Sequence, residues 1–535
     1  MPVFLRRSSD LAGIPIDYSW IATTGSHAPV ERPNRLANAA RLLDTHFSAI
    51  RDDWWELART LGQSPSAELG HAPTASSYSS DLGVMMTWER IVIEAAGKST
   101  PLLVICDDPW LFRHFAGMTG VTAGAAPSLM RETLKLRIRG MAARLKYAFR
   151  AAYAALALRG DRRKYTGTGA PALLVYGHPG SNADGNDAYF GDLMNEIPGL
   201  RRMLHVDCGV ARARELAGER TMSFHGWGSA LRAAGLVFAK WRPSAQDKSG
   251  RYGWLVRRAA EREGGAAAAA ATRWQSICQA AWLAQTKPAA IAWPWESHPW
   301  ERALIRSAHD HGVKTAGYQH TVVGKHLYNY GTAANSNGLD GIPDTVLCNG
   351  PSYRDQLETW GVPADRLLVA GAFRLPVPRA LKFDPAAPVF VALSSDPVIS
   401  TQMLLAIRQA VSNAGEAKRR FLLKEHPLYP FPFEPGPGIE RTEVELTKHA
   451  ALSAVLYATG TVGLEAVMAG LPTIRFLPEG KVAIDILPLN ITVPTAEAIE
   501  LNDVLTAAEP QNSIRREDII APVDMAYWRN CLGTT

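Results

Sequence analysis

Two short runs in the C-terminal third of the chain combine residue types that hold an anion. One is Lys424-Glu425-His426-Pro427; the other is Thr459-Gly460-Thr461, with Glu465 four residues on. Unpaired backbone N–H groups at a helix start, together with the positive end of its dipole, bind phosphate without a dedicated cation. Thr459 and Thr461 add hydroxyl donors, and Gly460 lets the backbone come close. Lys424 and His426 supply directed positive charge from a neighbouring strand end, and Glu465 can accept hydrogen bonds from a ribose diol. The plainer alternative is a strand-turn-helix in which Thr459 caps the helix and Glu465 faces water. Both runs in this order favour a nucleotide site.

A second pair suits proton transfer. Glu296 and His320 each follow an apolar run, 289–293 and 314–318, so both can project from one rim of a parallel sheet. A carboxylate or imidazole placed there can deprotonate a hydroxyl. Against this, Glu296 can cap the helix that starts near Pro299, and His320 can bond to backbone. Asn329, Asn335 and Asn337 lie in a Gly- and Asn-rich loop that is either a turn or a reach toward a ligand. Asp107 and Asp108 end the run 102–106, where capping is the expected role. His309 and His311 sit late in a helix, and no metal site is expected.

The elements that must position these groups read as alternating strands and helices. Apolar runs at 102–106, 172–176, 203–208, 289–293 and 314–318 predict strands of one α/β half. Runs at 389–393, 421–423, 454–457 and 472–476 predict a second. Open parallel sheets bind ligands at the carboxyl ends of their strands. Leu464, Val467 and Met468 recur at helical spacing before Gly470 and Pro472, which end that helix. Residues 35–61 predict one long helix, 17–30 a polar loop, and the Pro- and Ser-rich 64–80 a linker. The domain boundary is expected just before Thr345, giving an N-terminal α/β domain at 1–344 and a second α/β domain at 345–510. A terminal segment, 511–535, is expected to return toward the first domain.

Residues 129–164 predict a strongly basic helical insertion, with Arg131, Lys135, Arg137, Arg139, Arg144, Lys146 and Arg150 among Leu, Ile, Met, Tyr and Phe. That composition suits an anionic membrane surface or a solvated basic face. No zinc finger, helix-turn-helix or aromatic stacking pattern supports a nucleic-acid partner.

With 535 residues, 57 Lys and Arg against 51 Asp and Glu, and near-average apolar content, the chain can bury more than one core. Five scattered cysteines with no pair at metal spacing argue for a reducing compartment. No apolar run reaches membrane-spanning length, and the first residues lack a signal-peptide core. A cytoplasmic protein is expected, peripheral on the inner membrane if the insertion docks there. No Walker loop or GxGxxG turn follows a strand, which weighs against ATPase and dehydrogenase readings.

The stretches RDQLETWGVPADRLLVAGAFR, KEHP and ATGTVGLEAVMAGLPTI resemble the nucleotide-sugar domain of GT-B glycosyltransferases and their epimerase relatives. The His426-Pro427 pair followed by a hydroxyl-and-glycine turn is similar to bacterial sialyl- and Kdo-type transferases that use CMP-sugars; Thr459-Gly460-Thr461 stands where those have a Ser-Ser pair. WPWESHPWERALIRSA and GYQHT resemble bacterial surface-carbohydrate biosynthesis proteins. The His320-to-Lys325 spacing is similar to teichoic-acid polyol-phosphate transferases, with Thr321 in place of their Gly. The resemblance implies two Rossmann-like domains facing across a cleft and a metal-independent glycosyltransferase without cofactor. Its donor would be a nucleotide-sugar, CMP-nonulosonic acid or CMP-Kdo ahead of UDP- or GDP-sugars, and its acceptor a surface polysaccharide or lipid-linked glycan. Lys424, His426, Pro427, Thr459, Gly460, Thr461 and Glu465 would hold the donor, with Glu296 or His320 as base. A polyol-phosphate transferase, a nucleotide-sugar 2-epimerase and a non-catalytic assembly scaffold are the alternatives.

Overall fold

A computed structural model describes residues 3–29, 31–64, 66–70, 80–165, 169–374, 379–413, 419–510 and 514–533. The expected linker at 64–80 lies largely outside these residues, as do 511–513 and the last two residues of the terminal segment.

Three parallel sheets carry the fold. The first contains β1 (Val3–Arg6), β2 (Ser19–Ala22), β3 (Leu102–Ile105) and β4 (Val121–Ala123), in the order β2-β3-β1-β4. The second contains β5 (Ala172–Val175), β6 (Arg201–Leu204), β7 (Thr221–Ser223), β8 (Ala290–Pro294), β9 (Lys314–Gln319), β10 (Thr345–Cys348) and β11 (Leu367–Val369). Its order is β11-β10-β9-β8-β5-β6-β7. After it comes a two-stranded pairing of β12 (Lys382–Phe383) with β16 (Ala451–Leu452). The third sheet contains β13 (Val389–Ala392), β14 (Phe421–Lys424), β15 (Ile439–Arg441), β17 (Ala454–Tyr457), β18 (Thr473–Phe476) and β19 (Thr495–Ala496). Its order is β15-β14-β13-β17-β18-β19.

The central strands are short and apolar throughout: ALLV in β5, VFVA in β13 and AVLY in β17 are buried at every position. Burial on both faces removes the alternation of a half-exposed strand and suits a sheet covered by helices on each side. The expected α/β class is what the structure shows, with the second and third sheets Rossmann-like. The strand expected at 102–106 in one half with 172–176 and its successors is instead β3 of a separate, first sheet.

Three local expectations differ. The segment 17–30 is not all loop, because Trp20 and Ile21 are buried in β2. The helix expected over 35–61 is two helices, Ala39–Ala49 and Arg51–Leu61, broken at Ile50. Sheet membership also crosses the boundary expected before Thr345. β10 pairs with β9 and β11 with β10 in the second sheet, so the chain leaves that sheet only after Val369. The helix Met525–Cys531 packs on the same sheet, with Trp528 fully buried against Phe190, Tyr318 and Phe373.

The insertion is a helix of 29 residues, Leu129–Ala157, followed by a short helix Arg159–Lys164. It connects the first sheet to the second. Ser128 caps its start by accepting from the Arg131 N–H.

Candidate functional site

Strand order marks where each sheet opens. In the second sheet, β5 leads outward to β6 and β7 on one side, while β8 lies on its other side and leads away through β9 to β11. The connection reverses between β5 and β8, and a crevice forms outside the carboxyl ends of the strands at such a point. In the third sheet the reversal falls between β13 and β17. Ser394-Ser395-Asp396 follows β13, Thr459-Gly460-Thr461 follows β17, and Glu296 lies just beyond β8.

Both openings face one cavity of about 350 Å³. Glu296, His298, Thr321 and Asn329 line it from the second sheet; Ser395, His426 and the Thr459-Gly460-Thr461 turn line it from the third. The structure thus brings together Glu296 and the turn at 459–461, which lie far apart in sequence.

Glu296 is held from several directions. Its carboxylate Oε2 lies 2.7 Å from Nε2 of His298. Its backbone N–H donates to both carboxylate oxygens of Glu301, at 3.3 and 3.1 Å. Its carbonyl accepts from Asn329 Nδ2 at 2.6 Å. It does not cap the helix Pro299–Asp310; His298 occupies that N-cap position, and its side chain makes no capping bond to the helix N–H groups. Between Glu296 and His298, Ser297 has φ of +58° and is almost wholly buried. A non-glycine residue in the left-handed region costs about 1–3 kcal/mol and persists only where its surroundings enforce it. Here the turn aims the side chains on either side of it toward the cavity.

Burial alone would lower the His298 pKa, but its bond to Glu296 and the charges of Glu296 and Glu301 outweigh it, and the pKa is raised. Glu301 is fully buried, and burial pushes its carboxyl up to about 7 despite the opposing His298 charge. The group is therefore a graded set: a half-exposed carboxylate at the cavity, an imidazole poised to be cationic, and a buried acid behind both.

His320 sits one layer back. Its Nε2 is 3.7 Å from Glu296 Oε1, and its ring packs edge-on against Tyr189. Burial lowers its pKa to about 4, which keeps the imidazole neutral near pH 7.

On the opposite wall, Nδ1 of His426 accepts from the Leu428 N–H at 3.2 Å. A neutral imidazole that accepts at Nδ1 carries its proton on Nε2, and burial lowers the His426 pKa toward that neutral form. His426 thus offers an N–H donor rather than a fixed charge. Pro427 lies in the turn that the His426 and Tyr429 backbones close, and does not line the cavity.

Gly460 has φ of +112°, a conformation open only to glycine, although a Cβ there would meet nothing within 4 Å. Backbone shape, not space, selects this glycine. Thr459 Oγ1 lies 3.2 Å from Ser394 Oγ, joining the loops after β13 and β17. Thr461, not Thr459, is the N-cap of the helix Val462–Met468; its hydroxyl donates to Glu465 Oε1 at 3.3 Å. Glu465 is thereby placed behind Thr461 rather than on the cavity wall, and burial raises its pKa. Lys424 is not brought to the cavity, because its Nζ donates to the Glu443 carbonyl at 2.7 Å.

Sequence reasoning missed His298 and Ser395. The signal for His298 was present: Glu-Ser-His directly before a proline at the first helical position. Of the three asparagines only Asn329 lines the cavity, while Asn335 closes a turn onto the Gly338 carbonyl. Asp108 caps its helix by accepting from the Trp110 and Leu111 N–H groups.

No protein-family model matches the chain, and no curated protein matches it. Among solved structures, the chain is similar to a kitacinnamycin glycotransferase at 11% identity, covering 68% of this chain and 95% of that one, with a TM-score of 0.37. It is similar to the Methanocaldococcus jannaschii UDP-GlcNAc 2-epimerase, solved with UDP-GlcNAc and UDP, at 11% identity over 66% and 96% of the two chains, TM-score 0.37. The apo lipopolysaccharide outer core galactosyltransferase WaaB matches at 11% identity over 63% and 90%, TM-score 0.31. What this site can do is read from its own side chains.

Proposed function

We propose that the chain is a glycosyltransferase that moves a sugar from a nucleotide-sugar donor to a surface polysaccharide or lipid-linked glycan. CMP-nonulosonic acid or CMP-Kdo is the favoured donor class, ahead of UDP- and GDP-sugars. In this reading it works at the cytoplasmic face of the inner membrane. The observation that carries it is the meeting of two sheet openings on one cavity, with a held carboxylate on one wall and a hydroxyl-and-N–H turn on the other.

The third sheet and its loops form the donor side. The rest of the chain, with its returning C-terminal helix, forms the acceptor side. Glu296 takes the proton of the acceptor hydroxyl as that oxygen attacks the anomeric carbon, and the bond from that carbon to the donor phosphate oxygen breaks. The leaving phosphate receives hydrogen bonds from His426 and from the hydroxyls and N–H groups of the 459–461 turn. Most of the rate then comes from positioning and from stabilising the leaving charge. These donors meet the leaving group without a metal. Glu296 is taken as the base because it lines the cavity, whereas His320 is set back behind it. His298 and Asn329 orient Glu296.

A 2-epimerase needs no acceptor. A larger cavity of about 1140 Å³ adjoins the site through Ser395 and Thr459, and this room favours transfer. The test is nucleotide release from a panel of CMP-, UDP- and GDP-sugars with and without a glycan acceptor. The reading expects acceptor-dependent release that Glu296→Gln lowers by about 100-fold or more, the range of a lost general base, with nucleotide binding retained. Epimerisation of a free nucleotide-sugar without acceptor would overturn it.

A further inference from the structure

The long helix Leu129–Ala157 leaves one face uncovered. Met130, Leu134, Ile138, Met141, Leu145, Phe149, Tyr153 and Leu156 are 44% to 83% exposed. They recur at three and four residues along the helix and so form one stripe, roughly 40 Å long at 1.5 Å per residue. The opposite face is accounted for: Gly140, Ala148, Ala151, Ala154 and Ala155 are buried, and the helix packs on the 230–238 segment and on the helix Ala267–Thr286. Arg137 and Arg144 belong to that packed side, bonding the Glu261 carboxylate and the Val237 carbonyl.

Along one edge of the stripe run Arg131, Lys135, Arg139, Lys146 and Arg150, all exposed. At about 100° per residue they lie between the stripe and the positions Leu136, Gly140 and Ala143. Those positions, with Arg139, form a wall of the 1140 Å³ cavity. Stripe, basic edge and cavity wall therefore follow one another around a single helix.

We propose that this helix lies in the headgroup layer of an anionic bilayer, its stripe among the acyl chains and its basic edge on the phosphates. Charge selects this occupant over a second copy of the chain. An antiparallel symmetric pair joined by the stripes would set basic edges against each other, and a parallel one would set each basic edge toward the Arg137 and Arg144 side. Glu132 is the only acidic residue of the helix to answer them. Anionic headgroups neutralise the same side chains. No helix among the described residues is long and apolar enough to cross a membrane, so the helix lies along the surface. Docked this way, the basic edge leads from the headgroups to the cavity, where Arg139 and Arg262 present guanidinium groups. An anionic lipid-linked acceptor reaches the site without leaving its bilayer; this last step rests on the transferase reading, and the docking does not.

The experiment is co-sedimentation of the full chain with vesicles of phosphatidylcholine, alone or with phosphatidylglycerol, at near-physiological salt. Wild type is expected to pellet with the anionic vesicles and to stay in solution with the neutral ones. Met141→Asn/Phe149→Asn and Lys135→Gln/Lys146→Gln/Arg150→Gln change only exposed side chains; each is expected to weaken vesicle binding about 10-fold or more. Both should keep the wild-type melting temperature and its shift with nucleotide, which separates failure of docking from failure of the donor reading. Wild type left in solution with anionic vesicles would overturn the proposal, as would a stripe variant that pellets like wild type. So would a wild-type dimer that the stripe variant splits, which would give the face to a second copy.

Discussion

At the scale of single residues, the site depends on a carboxylate held by its neighbours. Glu301 accepts the Glu296 N–H and is itself raised from 4.5 to about 7 by burial. A carboxyl whose folded pKa lies above its unfolded value binds its proton more tightly in the native state. Its contribution is fully present below about pH 4.5 and is lost as the pH rises through about 7. Glu301→Gln keeps an acceptor for the Glu296 N–H and removes the titration. Melting curves from pH 5 to 8 should therefore fall less steeply for the variant than for wild type; parallel curves would place the titration elsewhere. Residue type and local order made Glu296, His426 and the 459–461 turn candidates in the sequence, and the structure sets them on one cavity. Lys424 and Glu465 were assigned on type alone, and local geometry turns each aside, onto the Glu443 carbonyl and behind Thr461. No spacing rule reports where a flexible side chain finds its nearest partner.

At the scale of elements, the strand-turn-helix after β17 sets the cavity wall by close packing. A Cβ on Gly463 would meet the Tyr457 ring at 2.4 Å. Tyr457 is fully buried, so the ring cannot swing into water. Gly463→Ala is expected to cost about 1–3 kcal/mol, as overpacking does, and to displace the turn at 459–461. Chemical denaturation reads the first effect and nucleotide affinity the second. A variant as stable as wild type would show that the helix relaxes freely. The apolar central strands were readable because both of their faces are buried. β1 was not: VFLR is four residues long and runs into a second arginine, yet it lies at the centre of its sheet. The break at Ile50 was equally hidden, because Leu43, Phe47, Trp54 and Leu61 keep one buried face on both sides of it.

At the scale of the whole molecule, the first and third sheets are joined by a buried charge. Arg475 of β18 is 1% exposed and donates to both carboxylate oxygens of Asp44, at 2.9 and 2.7 Å, from across the interface. Removing one partner of a buried pair costs about 3–5 kcal/mol, because the other charge is left in low dielectric. Asp485 remains 3.6 Å from Arg475 and softens the loss, so Asp44→Ala is expected to destabilise by about 3 kcal/mol in a denaturant titration. A change near zero would mean that the two sheets hold together without this pair. Contacts of this kind, 431 positions apart, leave no pattern in a single sequence. For the same reason β10 and β11 were assigned to the wrong sheet: their alternation with helices reads alike in either half. The central claim is that the cavity between the second and third sheets takes a sugar nucleotide, with His426 donating to its phosphate. It is tested most directly by the melting temperature of the purified protein with CMP, CDP, UDP and GDP, since ligand bound only to the native state raises it by mass action. The account predicts a shift selective for one nucleotide, CMP first, that His426→Ala reduces by about tenfold in apparent affinity, as loss of a bond to a charged group does. A shift that His426→Ala leaves unchanged, or none with any nucleotide up to millimolar concentration, would contradict it.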